Sequence, residues 1–502
     1  MGQKLSLKKF GDLIDTSIAV DPRSIVEFER EKVSQIAYDS RNIVPSDGAC
    51  LFFAICGQST DGHKFIDEVF RKNKHAIIVS ENDLKKNYER SIQVKNINIA
   101  MASIAKNFFD QPDEQLKIVA ITGTNGKTTS AYLCRAMLNK ISKTGMISTI
   151  EYDTGQKKVD ATNTTPMPID LFSMLYEARK NSCRNVVMEA SSHGLEQKRM
   201  YGLNVDVAIF TNLTQDHLDF HNDFEHYFLS KKKLFNGENG NFPKISIINI
   251  DDKYGAQLYG ELHSKNMHVI SFGVCEKADF RICNISKNDF SGSKFSIQTN
   301  GNIFNISSHL FGMHNMYNLT GSFAACMSLY NEPDKFISAI NDFQNVPGRL
   351  EKIPIPNGAT LFVDYAHTPE GLRIVALALK NIIQNTGKLI TVFGCGGNRD
   401  RTKRPLMTKI ANETSDIAIA TSDNSRNEKI EDIFSDMKHG VADEKKIIFI
   451  PDRKEAIFYA IKISKQDDII LIAGKGHETY QIIGDKKYHF DDREVVKEIC
   501  KI

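Results

Sequence analysis

Apolar residues in this chain gather in short runs that stop at glycine, proline or polar clusters, the pattern of buried strands alternating with helices. CLFFAICG at 50–57 and HAIIVS at 75–80 read as strands, and a helical stretch over Ala100–Phe109 ends close to Pro112. LKIVAITGTNGKTTS at Leu116–Ser130 is an apolar run that breaks into a Gly-rich loop and resumes as a helix opening at Lys127. VVMEASSHG at 186–194 and VAIFTNLTQDHLD at 207–219 both run from strand into polar loop, and SIINIDD at 246–252 and VISFG at 269–273 add strands. Residues 275–310 alternate and are more polar, which predicts a small antiparallel excursion, followed by a helix over Tyr317–Leu329. After VPGRLE at 346–351 a second series begins, with TLFVDYAH at 360–367, KLITVFGCGG at 388–397, DIAIATSDN at 416–424, KKIIFI at 445–450 and DIILIAGKG at 468–476. Such alternation implies an α/β layer fold whose chemistry lies beyond the carboxyl ends of its strands. There is no internal repeat, low-complexity tract or heptad.

The loop at 122–129 carries the strongest chemical signal. Small residues let backbone N–H groups converge on a phosphate, Lys127 supplies a point charge, and Thr128 offers its hydroxyl to Mg2+. A full eight-residue phosphate-loop pattern would need glycine at position 121, where Ile121 stands, so the match is to a shorter GTNGKTT loop. It points to nucleotide hydrolysis or phosphoryl transfer without naming the acceptor.

Bulk properties narrow the setting. A length of 502 residues suits about three domains. Sixty-four basic against 62 acidic residues exclude a globally basic nucleic-acid surface, though not a local patch. No apolar run approaches the roughly 18–20 residues of a membrane span, and the start lacks the apolar segment of a secretory signal. Gly2 followed by Ser6 fits a myristoylation pattern, but no second anchor accompanies it. The nine cysteines are scattered without CxxC or His-coupled spacing, as small core hydrophobes in a reducing compartment would be. A soluble cytoplasmic protein is expected.

The motifs form one ordered set: YDSR at 38–41, TGTNGKTT at 122–129, NTTP at 163–166, MEASSHGLEQKR at 188–199, NLTQDHLDFH at 212–221, HN at 314–315, VPGRLE at 346–351, DYAHTP at 364–369, GCGGNRD at 394–400, DNSR at 423–426 and GKGHE at 474–478. Together they resemble the Mur ligases, ATP-dependent enzymes that add amino acids to the nucleotide-linked peptidoglycan precursor. The resemblance implies an α/β, three-domain architecture. Residues 1–111 would bind the UDP substrate, 112–345 would form a central P-loop ATPase-like domain, and 346–502 a Rossmann-like domain binding the amino acid. It also implies the mechanism. A substrate carboxylate attacks the ATP γ-phosphate, and the incoming amine then displaces phosphate from the acyl phosphate to form an amide. Lysine and metal ions compensate the crowded anions.

Carried onto this sequence, the resemblance places Gly123, Thr124, Asn125, Gly126, Lys127, Thr128 and Thr129 around ATP, with Asn315, Arg349 and Asp364 completing that site. Lys127 would meet the β/γ-phosphates, and Thr128, Glu189 and His217 would lie near Mg2+. Lys231 would carry a CO2-derived carbamate (N6-carboxylysine) that helps hold the metal; Lys232 is its rival in the KKK run. Ser230 stands where the family commonly has alanine, a change that preserves space. Lys403 and Arg404 read as solvated loop charges and are left outside the site. On the UDP-substrate side stand Ser40, Thr164, Thr165, Ser191, Gln197 and Arg199. Tyr152 and residues 150–162 have no assigned role.

The acceptor is read from DNSR. The diaminopimelate-adding branch resembles DNPR, whose arginine can pair with the extra carboxylate, whereas lysine-adding relatives generally lack it. Arg426 keeps that group and Ser425 replaces the proline. Arg399, Asp423, Asn424, Gly474 and Glu478 complete a pocket with both signs of charge for a zwitterion. The implied reaction adds meso-2,6-diaminopimelate to the D-glutamate of UDP-N-acetylmuramoyl-L-alanyl-D-glutamate, in a monomer, with no nucleic-acid partner. Lysine addition, a folylpolyglutamate synthase-like ligase and a switch or transport NTPase are the alternatives. A full first domain carrying YDSR, together with the DNSR–GKGHE pair, opposes the folylpolyglutamate synthase-like reading, and the third-domain acceptor motifs with the general ligase pattern oppose the NTPase.

Overall fold

The computed structural model describes residues 7–57, 60–217, 220–221, 223–383 and 387–501, so Gly2 and Ser6 fall outside it. By packing, the chain forms two compact units, one of Met1–Thr122, Ile141–Ile209 and Ser230–Ser246, the other of Gly123–Lys140, Phe210–Leu229 and Ile247–Ile502.

The first unit begins with a five-stranded sheet ordered Lys8–Lys9, Lys32–Ala37, Ala49–Phe53, Ile77–Ser80, Ser91–Gln93. All pairs but the first are parallel. Ala49–Phe53 and Ile77–Ser80 are buried throughout, as strands covered on both faces must be. Further on, the parallel strands Lys117–Thr122, Asn185–Glu189 and Thr144–Ile147 lie side by side. The hairpin Glu151–Asp153/Lys158–Asp160 pairs antiparallel to the last of them. This hairpin occupies the stretch the sequence left unassigned.

In the second unit, Phe280–Asp289, Gly292–Thr299 and Asn302–Ser308 form the expected antiparallel excursion. The helix read at Tyr317–Leu329 starts earlier, at Met313, because Gly312 (φ +89°) turns the chain into it. It packs against the helix Lys127–Asn139. A six-stranded sheet follows, ordered Glu351–Pro354, Thr360–Asp364, Ile469–Ala473, Leu389–Cys395, Ile417–Ser422, Ile447–Phe449, with only the first pair antiparallel. Its side chains alternate between two cores. Ile469, Leu471 and Ala473 join the helices Pro369–Ile383, Lys403–Thr414 and Ile430–Lys438. Ile470 and Ile472 join Arg453–Ile463 and Asp492–Cys500. Apolar runs without polar alternation are thus explained by burial on both faces. Among the described residues, no helix is long and apolar enough to cross a membrane.

Candidate active site

In the second unit, the Gly-rich loop is braced from below. Asn125 N–H donates to Asn212 Oδ1 (2.9 Å), and Asn212 Nδ2 and Thr211 Oγ1 donate back to Asn125 O (3.1 and 2.7 Å). Thr124 Oγ1 accepts from Thr214 N–H (3.0 Å) and reaches Tyr227 Oη (3.2 Å). Two glycines are obligatory. Gly126 (φ +87°) would place a Cβ 2.3 Å from Asn318 Oδ1, and Gly123 (φ +145°) one 1.9 Å from Thr211 Oγ1. Gly126 is also the helix N-cap without a side-chain cap, leaving the first turn's amides to an anion. Lys127 Nζ folds back to the carbonyls of Gly123 and Thr124 (2.9 Å each). Thr129 is buried one position after Thr128.

Asn315, read as an ATP-site residue, donates to Phe311 O (2.8 Å) and accepts from Asn318 (3.3 Å), so it reaches the loop through Asn318, which sequence reasoning missed. Arg349 Nη2 donates to Thr128 Oγ1 at 3.1 Å, and its guanidinium lies 4.6 Å above the Tyr365 ring. Asp364 has a backbone role: Leu350 N–H (2.7 Å) and Ala366 N–H (2.8 Å) donate to its two oxygens. Burial, resisted by Arg349, raises its carboxyl above the ordinary range. His217 (φ +55°) turns Nε2 towards Asp216 Oδ2 at 3.3 Å, and His367 Nε2 lies 3.9 Å from the same oxygen. Burial opposes ionisation of Asp216, yet His217, His367 and Lys403 hold its carboxyl down to about 2. Asp216 lay inside a quoted motif, but only its approach to His367 singles it out.

Lys403 and Arg404 are not solvated charges, contrary to expectation. Arg404's side chain is fully buried, paired with Glu428 (2.7 Å) and Asp436 (2.8 Å), and Lys403 Nζ donates to His367 O (3.1 Å). Both open the helix Lys403–Thr414, and spacing alone could not show which side of it turned inward.

Between the ends of three strands, the same unit gathers the DNSR and GKGHE residues. Arg426 (φ +52°) has Nη1 held by Gly397 O (2.9 Å) and Asn424 O (3.2 Å). A left-handed residue follows Ser425 here, and the arginine is oriented by two carbonyls without the family's proline. Arg399 is exposed, and its Nη1 donates to Asn398 O (3.2 Å). Asn424 Nδ2 donates to Glu478 Oε2 (3.1 Å), and a Cβ on Gly474 (φ +116°) would sit 3.0 Å from Asp423 Oδ2. Beneath them Arg453 and Asp492, both with fully buried side chains, pair at 2.8 Å. Arg453 Nη2 also donates to Ala473 O (3.0 Å) and Nη1 to Ser422 O (3.4 Å), tying together the two strand ends that carry Gly474 and Asp423. Lys475, unread in the sequence, is buried in the middle.

In the first unit, Glu189 and the expected UDP-side residues Thr164, Thr165, Ser191, Gln197 and Arg199 form one network. Both Glu189 oxygens are engaged by Thr149, through its N–H (2.9 Å) and hydroxyl (3.0 Å). Thr149 Oγ1 also meets Thr164 Oγ1 (3.1 Å). Thr165 Oγ1 donates to Glu189 O (2.8 Å) and lies 3.0 Å from Ser191 Oγ. Arg199 Nη1 donates to Thr165 O (2.7 Å), with Nε and Nη2 on Gln197 Oε1 (3.0 and 2.7 Å). Tyr152, unassigned from sequence, bonds both N–H and C=O of Asn163 and so fixes the NTTP turn. Ser40 is buried, its hydroxyl 3.3 Å from Glu68 Oε2, and neighbouring Tyr38 donates to Asp170 Oδ2 at 2.6 Å. Of the three consecutive lysines only Lys231 is buried; Lys232 and Lys233 are partly exposed. Ser230 Oγ and Lys233 Nζ both donate to Glu196 Oε2 (2.7 and 2.6 Å), so the extra hydroxyl at 230 is satisfied.

Among the described residues, no three His, Cys, Asp or Glu side chains gather as a metal-holding group. Mg2+ beside nucleotide phosphates needs only one or two protein oxygens, and the Thr128 hydroxyl and Glu189 carboxylate are of that kind.

Comparison with known proteins places these features. Residues 121–326 match the family model of the Mur ligase middle domain, and 348–476 that of the Mur ligase glutamate ligase domain. UDP-N-acetylmuramoyl-L-alanyl-D-glutamate--2,6-diaminopimelate ligase of Fusobacterium nucleatum is 41% identical over 472 residues, 93% of each chain. The protein of that name from Aquifex aeolicus is 40% identical over 475 residues, 94% of this chain and 95% of its own. A solved structure of a ligase of that name superposes with a TM-score of 0.66 at 28% identity, covering 99% of both chains. Mycobacterium tuberculosis folylpolyglutamate synthase with ADP shares the fold alone, at 16% identity and TM-score 0.60 over 75% of this chain and 91% of its own.

Proposed function

Since the chain belongs to the Mur ligase family, we propose that it adds meso-2,6-diaminopimelate to the D-glutamate of UDP-N-acetylmuramoyl-L-alanyl-D-glutamate, consuming ATP and releasing ADP and phosphate. The observation that carries the acceptor choice is Arg426. Its guanidinium is pre-aimed by the Gly397 and Asn424 carbonyls, within the residues that also bear Asp423 and Glu478. A carboxylate-binding arginine next to ammonium-binding carboxylates matches the distal end of diaminopimelate; lysine offers only the ammonium.

In this reading residues 1–111 bind the UDP substrate, 112–345 ATP, and 346–502 the amino acid. The glutamate carboxylate oxygen attacks the γ-phosphorus and ADP leaves. The acceptor amine then attacks the acyl carbonyl, loses its proton, and phosphate departs with the original carboxylate oxygen. The 123–129 loop positions the phosphates, with Lys127 neutralising charge as it migrates and Arg349 orienting Thr128. Thr128 in the second unit and Glu189 in the first would each offer an oxygen to Mg2+, which supplies charge compensation between phosphates when bound. Thr164, Thr165, Ser191, Gln197 and Arg199 would bind the UDP-linked peptide, and Ser40 its uridine side.

Lys231 is the lysine for carbamylation, because a buried ammonium beside a cation site is costly and conversion to a carbamate reverses its charge. His217 would stand near a second metal. We place the enzyme in the cytoplasm as a monomer, serving peptidoglycan synthesis.

Phosphate release is measured with UDP-N-acetylmuramoyl-L-alanyl-D-glutamate and ATP, comparing meso-diaminopimelate, L-lysine and no amino acid, with product mass. A diaminopimelate adduct formed selectively is expected. A lysine adduct overturns the acceptor choice, and no adduct with folded protein and bicarbonate overturns the ligase reading.

A further inference from the structure

Lys475 lies between two residues assigned to the acceptor pocket, Gly474 and Glu478, yet its own side chain is fully buried. Its Nζ is 3.1 Å from Glu478 Oε2, 3.9 Å from Asp423 Oδ1 and 3.5 Å from Asn424 Oδ1, and 5.5 Å from the centre of the Tyr480 ring. Burying a lysine in this way is costly unless charge partners surround it. Two carboxylates do. Without a cation between them, two such acids cannot both ionise.

We infer that Lys475 is a positioning residue of the acceptor pocket: its ammonium keeps Asp423 and Glu478 ionised side by side, leaving one net negative charge to receive the acceptor's distal ammonium. The inference rests on reading residues 423–426 and 474–478 as the acceptor pocket.

Charge counting supports it. Asp423 and Glu478 contribute two negative charges and Lys475 one positive. The other charged groups facing them are otherwise committed. Arg453 is neutralised by Asp492, and Arg426, oriented by the carbonyls of Gly397 and Asn424, keeps its charge for the acceptor's distal carboxylate. Tyr480 and Tyr365 are held neutral, burial raising both phenols, and His367, which also faces Asp423, has its imidazole pushed down chiefly by burial. The two acids feel this arrangement unequally. Burial, then Asp423, push the Glu478 carboxyl up; against burial, Lys475 and then Arg453 hold that of Asp423 down. Lys475 therefore sets the charge of the pocket without touching the reacting atoms.

The full-length enzyme with Lys475→Met and Lys475→Arg tests this in two ways. In steady-state kinetics, K475M should raise the KM for meso-diaminopimelate by about tenfold or more, with the KM values for ATP and the UDP substrate unchanged. The acidic limb of kcat/KM for the acceptor should move to higher pH, and K475R should restore most of the loss. Equal change in all three KM values, or none, overturns the inference.

A substrate-free readout separates this from the pocket reading. Without Lys475 one carboxyl has a raised folded-state pKa, so K475M should lose thermal stability relative to wild type as pH rises above the carboxylate range. The double variant K475M/E478Q should abolish that loss, and it also serves if K475M alone folds poorly. Parallel melting curves overturn the inference. Arg426→Ala with an unchanged acceptor KM would sink the acceptor-pocket reading alone, while the melting curves still decide the role of Lys475.

Discussion

The guanidinium of Arg349 donates a hydrogen bond to the hydroxyl of Thr128 at 3.1 Å, joining the VPGRLE segment to the first turn of the phosphate-loop helix. Arg349 is steadied by Tyr365, over whose ring it lies at 4.6 Å. A planar cation is therefore fixed beside the hydroxyl expected to meet Mg2+. Arg349→Ala should lower kcat/KM for ATP by roughly 10–100-fold, the worth of one charge-assisted hydrogen bond of about 1.5–3 kcal/mol. Arg349→Lys should recover little, because an ammonium cannot both stack and reach. Initial rates at varied ATP check this; a wild-type kcat/KM in Arg349→Ala, or its full recovery in Arg349→Lys, would sink it.

Gly126→Ala brings a methyl group to 2.3 Å from Asn318 Oδ1 at a left-handed φ of +87°. The loop must shift, so ATP-dependent phosphate release should fall steeply while the far cores stay intact. Asn318→Ala in the same background should relieve the clash and return part of the activity. An undiminished Gly126→Ala rate would contradict the loop geometry.

Arg453→Met leaves Asp492 buried and unpaired, and frees the Ser422 and Ala473 carbonyls. Breaking one partner of a buried pair costs about 3–5 kcal/mol, whereas replacing both with apolar residues costs less. Denaturant unfolding should therefore find R453M less stable than R453M/D492L. The reverse order would show that the pair is not the main term.

His477 is half-buried beside Arg349 and Arg493; desolvation first, then those cations, hold its imidazole down to about 3 from 6.5. A depressed base is protonated in the unfolded chain before the folded one. Stability is then fully present above pH 6.5 and drains away as pH falls from 6.5 towards about 3. Urea titrations across that window should show a slope that His477→Gln flattens. Identical slopes would remove His477 as its source.

Lys231 is buried while Lys232 is partly exposed. With 13C-bicarbonate, a carbamate carbon signal should appear in wild type and in Lys232→Ala and vanish in Lys231→Ala. Loss in Lys232→Ala instead would transfer the modification to the rival.

Much of the chemistry was legible in the one-dimensional order of motifs. The Gly-rich loop needs glycine at Gly123 and Gly126 for reasons of backbone sterics, and the contiguous apolar strands needed burial on both faces. Alternation inside 275–310 likewise sufficed for its antiparallel hairpins. These are local demands, met within a few residues of chain, so sequence by itself determined them. Contacts between distant segments were another matter. That Arg404 is buried, that Asn318 rather than Asn315 abuts the loop, and that Lys475 lies between two acids depend on contacts across as many as 192 residues in the neighbouring helix pair (Ser130–Ser322) and 51 in the acceptor loops (Asn424–Lys475). A lysine's or arginine's role depends on which carboxylates face it, and only the tertiary structure brings those together, because desolvation and pairing are properties of the packed interior.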